Sequence, residues 1–174
     1  MRFEPTRVEG AFVVERDVVA DERGHFATIF RVDEFRAHGL ATEFAQSSTS
    51  GNAVKGTVRG MHYSDPPEVK LVCCTAGRVF DVVLDLRPDS PSYREWAAAE
   101  LSPGNGRAMY VPAGVAHGFY TLEDESEVLY QISLLYDPGT GRGVRWDDPA
   151  FGIEWPGVPS VISDRDRNFP DVDR

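Results

Sequence analysis

The chain contains very little cysteine, and its two cysteines, Cys73 and Cys74, are adjacent. Neighbouring residues of a strand point to opposite faces of the sheet, so adjacent cysteines rarely form a disulfide with each other. We therefore expect two reduced cysteines within one strand, and a fold held together by disulfides is not indicated.

The sequence also lacks long apolar runs and an excess of positive charge. No run approaches the ~18 apolar residues that a membrane helix needs, and residues 1–5 begin no stretch of signal-peptide length, so we expect a cytoplasmic protein. The formal net charge is −10, which argues against nucleic acid as a partner because phosphate binding needs a concentrated basic surface. A small anionic ligand is still compatible, since a few basic side chains in one pocket can hold a diphosphate.

The composition predicts a single domain over residues 1–174. This length is enough for one core and too short for two ordinary ones, and 41% hydrophobic with 26% charged residues is typical of a folded protein. Twelve prolines and 16 glycines are spread along the chain. The segments between them are short and rich in Val, Phe, Tyr and Leu, which predicts a β protein.

The clearest predicted strand covers residues 78–86. Its alternation places two sets of side chains on opposite faces: Val79, Asp81, Val83 and Asp85 on one, and Phe80, Val82, Leu84 and Leu86 on the other. A strand that is apolar on both faces and carries two carboxylates on one of them indicates a wall lining a polar pocket. Further strands are predicted at 10–15, 26–31, 57–63, 69–76, 94–101, 107–111, 117–122 and 126–136.

Helical signals are few. Residues 32–38 followed by Gly39 predict one short helix with a glycine stop. The Asp- and Pro-rich tail from about residue 146 predicts turns and a short helix. Eight or more short strands with little helix favour a mainly β jelly-roll barrel, and a flat sandwich without a pocket is the alternative.

Four histidines are candidates for chemistry. His38 falls in the predicted helix and is interpreted as a surface residue, while His25 lies in a Gly-rich turn and receives no catalytic role. His62 and His117 each close a strand-like segment beside a glycine. Taken alone, either of these two histidines could equally be structural.

A metal site is one hypothesis for this pair. Two histidines on neighbouring barrel strands, with Glu68 nearby, could form a two-His-one-carboxylate site. Pro-x-Gly-x-x-His at 112–117 matches the second half of the cupin signature. The first half is incomplete, because His62 is followed by Tyr63-Ser64 where a metal-binding cupin usually has a second histidine two positions on.

An ordered set of segments from about residue 8 to 170 resembles the dTDP-4-dehydrorhamnose 3,5-epimerase family, a non-metal branch of the cupins. The matching positions are 21–26, 58–63, 70–72, 77–87, 90–92, 111–119, Tyr130, Tyr136, 145–149 and 163–166. The resemblance implies a cupin-type double-stranded β-helix (jelly-roll) barrel with a few short helices. It also implies an isomerase of deoxysugar biosynthesis that epimerises an NDP-4-keto-6-deoxyhexose, dTDP-linked in the family, at C3 and C5, with no metal or redox cofactor.

The residue types suit that chemistry. Protons alpha to a ketone need a base near neutral pKa, and imidazole at ~6.5 fits. A fixed cation stabilises the enolate oxygen, and a tyrosine of ordinary pKa ~10 holds a proton to return. The resemblance implies that His62 is the base, Asp166 orients it, Lys70 lies near the enolate and Tyr130 is the acid.

The resemblance also implies a substrate-binding set. It gives His117 and Asp81 the positioning of the sugar, Arg59 and Arg23 the diphosphate, and Tyr136 the nucleotide. Phe26, in the matched segment 21–26, and Gln46, in a Gln-x-Asn pattern of the family, are assigned to sites that hold the nucleotide or sugar. A homodimer is implied as well, with N-terminal strands exchanged so that the Arg23 region of one subunit approaches the pocket of the other.

Three departures from the family pattern leave the sugar open. The stretch between His62 and Lys70 is two residues shorter and lacks a glutamine often found there. Residues 26–28 are Phe-Ala-Thr where the family commonly has Phe-x-Glu. Residues 46–48 are Gln-Ser-Ser where the family has Gln-x-Asn, and one residue is inserted before Arg59. The alternatives are a C3-only epimerase of the same family, a metal-dependent cupin using His62, His117 and Glu68, and a non-catalytic sugar-binding barrel.

Overall fold

A computed structural model describes residues 1–172 as a mainly β protein. The elements in chain order are β1 Arg2–Pro5, β2 Phe12–Glu15, β3 Val18–Asp21, β4 Gly24–Ala27, α1 Val32–Ala37, β5 Gln46–Asn52, β6 Thr57–Ser64, β7 Lys70–Ala76, β8 Val79–Asp85, β9 Trp96–Leu101, β10 Arg107–Val111, β11 Val115–Thr121, β12 Ser126–Ile132, β13 Gly141–Gly143, β14 Val161–Ile162 and α2 Asp164–Arg167. Among these residues, no helix has the length and apolar character needed to cross a membrane.

Two large sheets form the barrel. The first has the strand order β1-β2-β10-β7-β12-β5, and the second has β13-β6-β11-β8-β9 with β14 added in parallel to β6. The other pairings are antiparallel, and their neighbours are often distant in sequence, as in a jelly roll. Strands β3 and β4 form a separate two-stranded hairpin.

The core has three layers because both sheets bury both faces. The cluster between the sheets takes residues from each of them, including Val72, Val83, Met109, Phe119 and Val128. A second cluster lies where α1 and the N-terminal segments cover the outer face of the first sheet. The C-terminal segment covers the outer face of the second sheet in the same way.

The predicted alternation of the 78–86 strand is confirmed. Val79 and Val83 belong to the cluster between the sheets, whereas Val82 and Leu84 pack under the C-terminal segment. The two carboxylates of the inward set, Asp81 and Asp85, are fully buried. The flat sandwich without a pocket is wrong, because residues of both sheets line a cavity.

The adjacent cysteines behave as expected. Both are free and buried. Cys74 belongs to the cluster between the sheets and Cys73 to the cluster under α1, so the two thiols lie on opposite faces of β7. Burial raises the pKa of the Cys74 thiol to about 12, which makes it a poor nucleophile near neutral pH.

Two predicted strands extend four residues beyond the end of the observed strand. The 26–31 strand ends at Ala27, because Ile29 and Phe30 instead pack against the cluster that contains Phe35 of α1. The 126–136 strand ends at Ile132, and the chain beyond it leaves the sheet with Leu135 and Tyr136 exposed. The helix at 32–38 is confirmed as α1, and the tail contains the short helix α2.

Candidate active site

Two adjoining cavities open on the barrel and share His62, Glu68 and Lys70. The inner cavity, of about 270 Å³, is also lined by Ser50, Arg59, His117, Tyr130 and Ile132. The outer cavity, of about 410 Å³, extends along Tyr63, Ser64, Pro66, Leu134, Leu135, Tyr136, Asp137, Thr140, Gly141, Arg142 and Arg165. Polar side chains of both large sheets therefore converge on one space.

A close approach of two backbones sets the positions of His62 and His117. Strands β6 and β11 pair His62 directly with His117. A Cβ on Gly60, whose φ is +145°, would lie 2.6 Å from the Cα of Gly118. These two positions need glycine because any side chain there would separate the strands. The glycines beside the histidines thus have a structural role that places both imidazoles at the inner cavity.

His62 forms a hydrogen-bonded pair with Asp166. The Nε2 atom of His62 lies 2.7 Å from Oδ1 of Asp166, and the backbone N–H of Gly60 donates to Oδ2 at 3.2 Å. Asp166 lies in α2, whose N-cap Ser163 accepts a hydrogen bond from the Asp166 N–H. An ionised Asp166 requires the proton on Nε2, which leaves Nδ1 of His62 as the nitrogen that can accept one.

The charge of Asp166 is maintained by its contacts. Burial alone would raise the pKa of this carboxyl, but the hydrogen bond and charge of His62 and the hydrogen bonds of Gly60 and Ser163 hold its pKa below the usual value. The side chain of Asp166 is 5% exposed, whereas that of His62 is 35% exposed. The carboxylate of the pair is therefore buried, whereas the imidazole is open to the cavity.

A second histidine–carboxylate pair lies deeper in the barrel. Nε2 of His117 is 2.9 Å from Oδ2 of Asp81, and both side chains are buried. Burial raises the pKa of Asp81, and the hydrogen bond and charge of His117 oppose that shift only in part. The described residues offer no hydrogen-bond partner to the other carboxylate oxygen, Oδ1 of Asp81.

Tyr130 enters the inner cavity from the sheet that faces His62. It lies on β12, and its ring stands edge-on to His117 with ring centroids 5.8 Å apart. Burial, followed by the negative charge of Asp81, raises the pKa of Tyr130 far above the usual tyrosine value, and the charge of Arg59 opposes this only in part. Tyr130 therefore keeps its proton at neutral and mildly alkaline pH.

Because its pKa is raised, Tyr130 should not contribute to the tyrosinate absorbance in a titration with alkali. Because an ordinary tyrosine ionises near pH ~10, the growth of tyrosinate absorbance up to about pH 11 should be the same in Tyr130→Phe as in the unaltered protein. The measurement is the absorbance near the tyrosinate maximum as pH rises. A variant that loses one tyrosine's share of the amplitude in this range would contradict the assignment.

The cationic side of the inner cavity comes from Lys70 and Arg59. Lys70 begins β7, is 8% exposed, and places Nζ 3.1 Å from Oε1 of Glu68. Arg59 donates from Nε to Oδ1 of Asn52 at 2.8 Å and from a terminal nitrogen to the carbonyl of Gly51. The remaining guanidinium N–H groups of Arg59 are available to an anionic ligand.

Gln46 and Tyr136 meet at the rim of the outer cavity. Oε1 of Gln46 accepts a hydrogen bond from the Tyr136 backbone N–H at 2.6 Å. The Tyr136 ring is 75% exposed and lines the cavity. A flat aromatic face at an open rim suits stacking against a planar ring such as a nucleobase.

Arg23 and Phe26 do not reach these cavities within one chain. Both lie on the β3–β4 hairpin, where the Arg23 guanidinium pairs with Asp21 and the Phe26 side chain is 74% exposed. They line a separate surface pocket with neighbouring hairpin residues. Their predicted contact with substrate therefore requires another subunit.

The metal hypothesis is not supported. In the part of the chain that the structure describes, no group of three or more His, Cys, Asp and Glu side chains is arranged to hold a metal ion. His62 and His117 each bond a different carboxylate through Nε2, and Glu68 pairs with Lys70. The three proposed ligands are therefore engaged separately.

Two basic residues of the outer cavity were missed by sequence reasoning. Arg142 lies on the short strand β13, which pairs with the end of β6 at Tyr63. Arg165 precedes Asp166 in α2 and lines the same cavity. Proximity to Asp166 was a usable signal for Arg165, whereas nothing in the Gly-rich segment around Arg142 predicts a strand beside His62.

The fold is a cupin-type jelly-roll barrel whose cavities bring a histidine–carboxylate pair, a lysine and a tyrosine together. The family model described as dTDP-4-dehydrorhamnose 3,5-epimerase matches residues 5–174. The chain belongs to this family.

Individual members of the family are similar to this chain over nearly its whole length. The chain is 41% identical over 172 residues to a dTDP-4-dehydrorhamnose 3,5-epimerase of Methanothermobacter thermautotrophicus, covering 97% of this chain and 92% of the relative. It is 40% identical over 171 residues to a dTDP-4-dehydrorhamnose 3-epimerase of Streptomyces niveus, covering 97% and 82%. The structure of dTDP-6-deoxy-D-glucose-3,5-epimerase from Legionella pneumophila in complex with dTDP-4-keto-L-rhamnose superposes with a TM-score of 0.89, at 33% identity, over 95% of this chain and 89% of that one.

Proposed function

We propose that this protein is an isomerase of deoxysugar biosynthesis that epimerises a dTDP-linked 4-keto-6-deoxyhexose at C3 and C5. The observation that carries the proposal is the placement of the His62–Asp166 pair and Tyr130 on facing sheets around one cavity. A base and an acid on opposite sides are what inversion at carbon requires. Family membership supplies the substrate class.

Proton abstraction is the first step. Nδ1 of His62 takes the proton alpha to the ketone, and the C–H electron pair moves to form the enolate. Asp166 stabilises the resulting imidazolium through its hydrogen bond to Nε2. The Lys70 ammonium stabilises the charge that develops on the ketone oxygen.

Proton return completes the inversion. The Tyr130 hydroxyl gives its proton to the same carbon from the opposite face, and the enolate collapses to the ketone. Tyr130 then regains a proton from solvent, and His62 releases one. The high pKa of Tyr130 keeps the donor protonated until the enolate forms. The ketone of the substrate itself activates the alpha C–H bond, so the reaction implies no resident cofactor.

We expect the substrate to bind with its sugar in the inner cavity and its nucleobase at the rim of the outer cavity. Arg59 offers a guanidinium for the diphosphate, and the His117–Asp81 pair lies where the sugar would be positioned. Tyr136 at the rim of the outer cavity suits the nucleobase.

A heavy-water exchange assay tests the proposal. The protein is incubated in heavy water with a small panel of keto-sugar nucleotides, and deuterium at C3 and C5 is followed by NMR. We expect incorporation at both carbons of a dTDP-linked 4-keto-6-deoxyhexose. If no member of the panel takes up deuterium at C3 or at C5, the epimerase assignment is refuted.

The same assay distinguishes epimerisation at C3 and C5 from the second candidate function, epimerisation at C3 alone. This candidate is favoured by the 40% identity to the Streptomyces niveus 3-epimerase. It predicts deuterium at C3 with none at C5. It uses the same base and acid, so the difference would lie in how the sugar is presented to them.

A homodimer with exchanged hairpins is part of the proposal. Within residues 1–172, the hairpin β3–β4 pairs with no other strand, and Val19 and Phe26 expose apolar side chains on it. Exposed apolar patches of this kind mark interaction surfaces. A second copy that receives the hairpin would bring Arg23 to the partner's cavity.

Mixing two inactive variants tests the exchange of hairpins. Arg23→Ala should weaken substrate binding and His62→Asn should lower turnover by about 10²–10⁴-fold, so each variant alone is nearly inactive at a substrate concentration well below the KM of Arg23→Ala. A mixed dimer contains one complete site, so random remixing should restore up to about a quarter of the unaltered activity. No recovery in a mixture whose mixed dimers are verified by mass spectrometry would contradict the exchange.

A further inference from the structure

Glu68 is a partly buried acidic residue of the cavities, and the proposed reaction gives it no role. It lies in the loop between β6 and β7 and lines both the inner and the outer cavity. Its Oε1 is 3.1 Å from Nζ of Lys70, and the exposed fractions of the Lys70 and Glu68 side chains are 10% and 18%. This ion pair is thus withdrawn from solvent at the place where substrate would enter.

The position of the Lys70 ammonium depends on its carboxylate partners. A lysine carries its charge on a flexible stem, and burying that charge without a partner is costly. The chain contains just two lysines, Lys55 and Lys70, and Lys55 is exposed. Lys70 is therefore the single lysine that this fold buries, and Glu68 is the carboxylate that it contacts.

A second carboxylate lies within the electrostatic influence of Lys70. Asp81 is fully buried, and the positive charge of Lys70 lowers its pKa against the larger effect of burial. Oδ1 of Asp81 has no hydrogen-bond partner among residues 1–172. An ammonium released from Glu68 would be attracted to that free oxygen, deeper in the barrel and beside His117.

We propose that Glu68 is a positioning residue that holds the Lys70 ammonium at the junction of the two cavities and away from Asp81. The inference rests on the proposed function, because the enolate oxygen of that reaction is what Lys70 would stabilise. Such stabilisation depends on a cation that is already in place when charge develops. A displacement of about 1 Å is enough to cost up to about 10²-fold in rate.

Replacement of the charge gives the kinetic test. Glu68→Gln should lower kcat about tenfold while KM changes less than about twofold, because the transition state loses an aligned cation and substrate binding does not. Glu68→Asp keeps the charge on a shorter stem and should recover part of kcat. The matched control is Glu100→Gln, which removes a surface partner of Arg78 outside both cavities and should change neither constant.

Three kinetic results would overturn the inference. One is an unchanged kcat in Glu68→Gln. Another is a rise in KM alone, which would mean that Glu68 binds the substrate directly. The third is a Glu68→Asp variant no better than Glu68→Gln, which would mean that the charge is not what positions Lys70.

A spectroscopic test needs no substrate. In protein labelled with ¹⁵N-lysine, the two ammonium groups give separate signals, and Lys55 serves as the internal reference. Hydrogen bonding to Glu68 should protect the Lys70 ammonium protons from rapid exchange with water, and Glu68→Gln should remove or shift that signal. An unchanged Lys70 signal in the variant would overturn the positioning role.

The two tests separate this inference from the proposed function. If the unaltered protein exchanges no proton in any keto-sugar nucleotide, the proposed function fails. The effect of Glu68 on that reaction fails with it, even when the ammonium signal behaves as expected. If the unaltered protein is active and Glu68→Gln is equally active, the role of Glu68 fails while the proposed function stands.

Discussion

Replacing His62 with asparagine is expected to reduce deuterium exchange at the sugar by about 10²–10⁴-fold, the range that a positioned general base contributes. The loss should appear in kcat, because Nδ1 of His62 acts on the C–H bond after substrate has bound. Asparagine offers Asp166 a hydrogen-bond donor, which limits the cost of leaving that buried carboxylate unpaired. The measurement is the initial rate of exchange at C3 and C5 at saturating substrate.

The matched control is His38→Asn. His38 is an exposed histidine that stacks on Phe3, distant in the fold from both cavities. Its replacement should leave exchange unaltered. A His62→Asn protein that is folded, binds the substrate and exchanges at the unaltered rate would show that another group is the base. A non-catalytic sugar-binding barrel predicts that there is no turnover to lose in either variant.

Tyr130→Phe should separate proton exchange from inversion. The phenylalanine keeps the ring that packs edge-on to His117 and removes the hydroxyl that returns the proton. His62 can still abstract a proton and return deuterium to the same face, so exchange without change of configuration should persist. Formation of the epimer should fall by about 10²–10⁴-fold, since this donor acts as a general acid.

Two measurements on one sample check this expectation: deuterium content by mass spectrometry and configuration by NMR. Tyr93→Phe, at a partly exposed tyrosine outside the cavities, is the control. Epimer formation at the unaltered rate in Tyr130→Phe would exclude Tyr130 as the donor. Loss of both exchange and inversion would show that abstraction itself depends on this hydroxyl.

Much of the barrel could be predicted because its strands carry strong local patterns. Period-two alternation located β8 and gave the faces of its side chains correctly, since each face packs on a separate apolar layer. Glycine after the helical pattern predicted the end of α1, where Gly39 has a φ of +69°. Strands with weak patterns, such as the polar β5 and the two-residue β14, were missed because pairing with neighbours, not composition, makes them strands.

The candidate site could be predicted only through the ordered family pattern. His62 and Asp166 are separated by 104 positions, and no local signal connects them. Tyr130 resembles an ordinary barrel tyrosine until the facing sheet is known. The ion pair of Glu68 with Lys70 and the placement of Arg142 depend on how loops and short strands close the cavity mouth, which no periodicity encodes.

The position of Asp166 has a consequence for how the protein is made. Every barrel strand through β12 is complete at Ile132, yet the partner of His62 is added 34 residues later by α2, beside the parallel strand β14. His62 and the strands that surround it are therefore synthesised well before the carboxylate that orients its imidazole. The strands of the barrel are synthesised first, and the proposed proton-transfer pair is completed only when α2 is made.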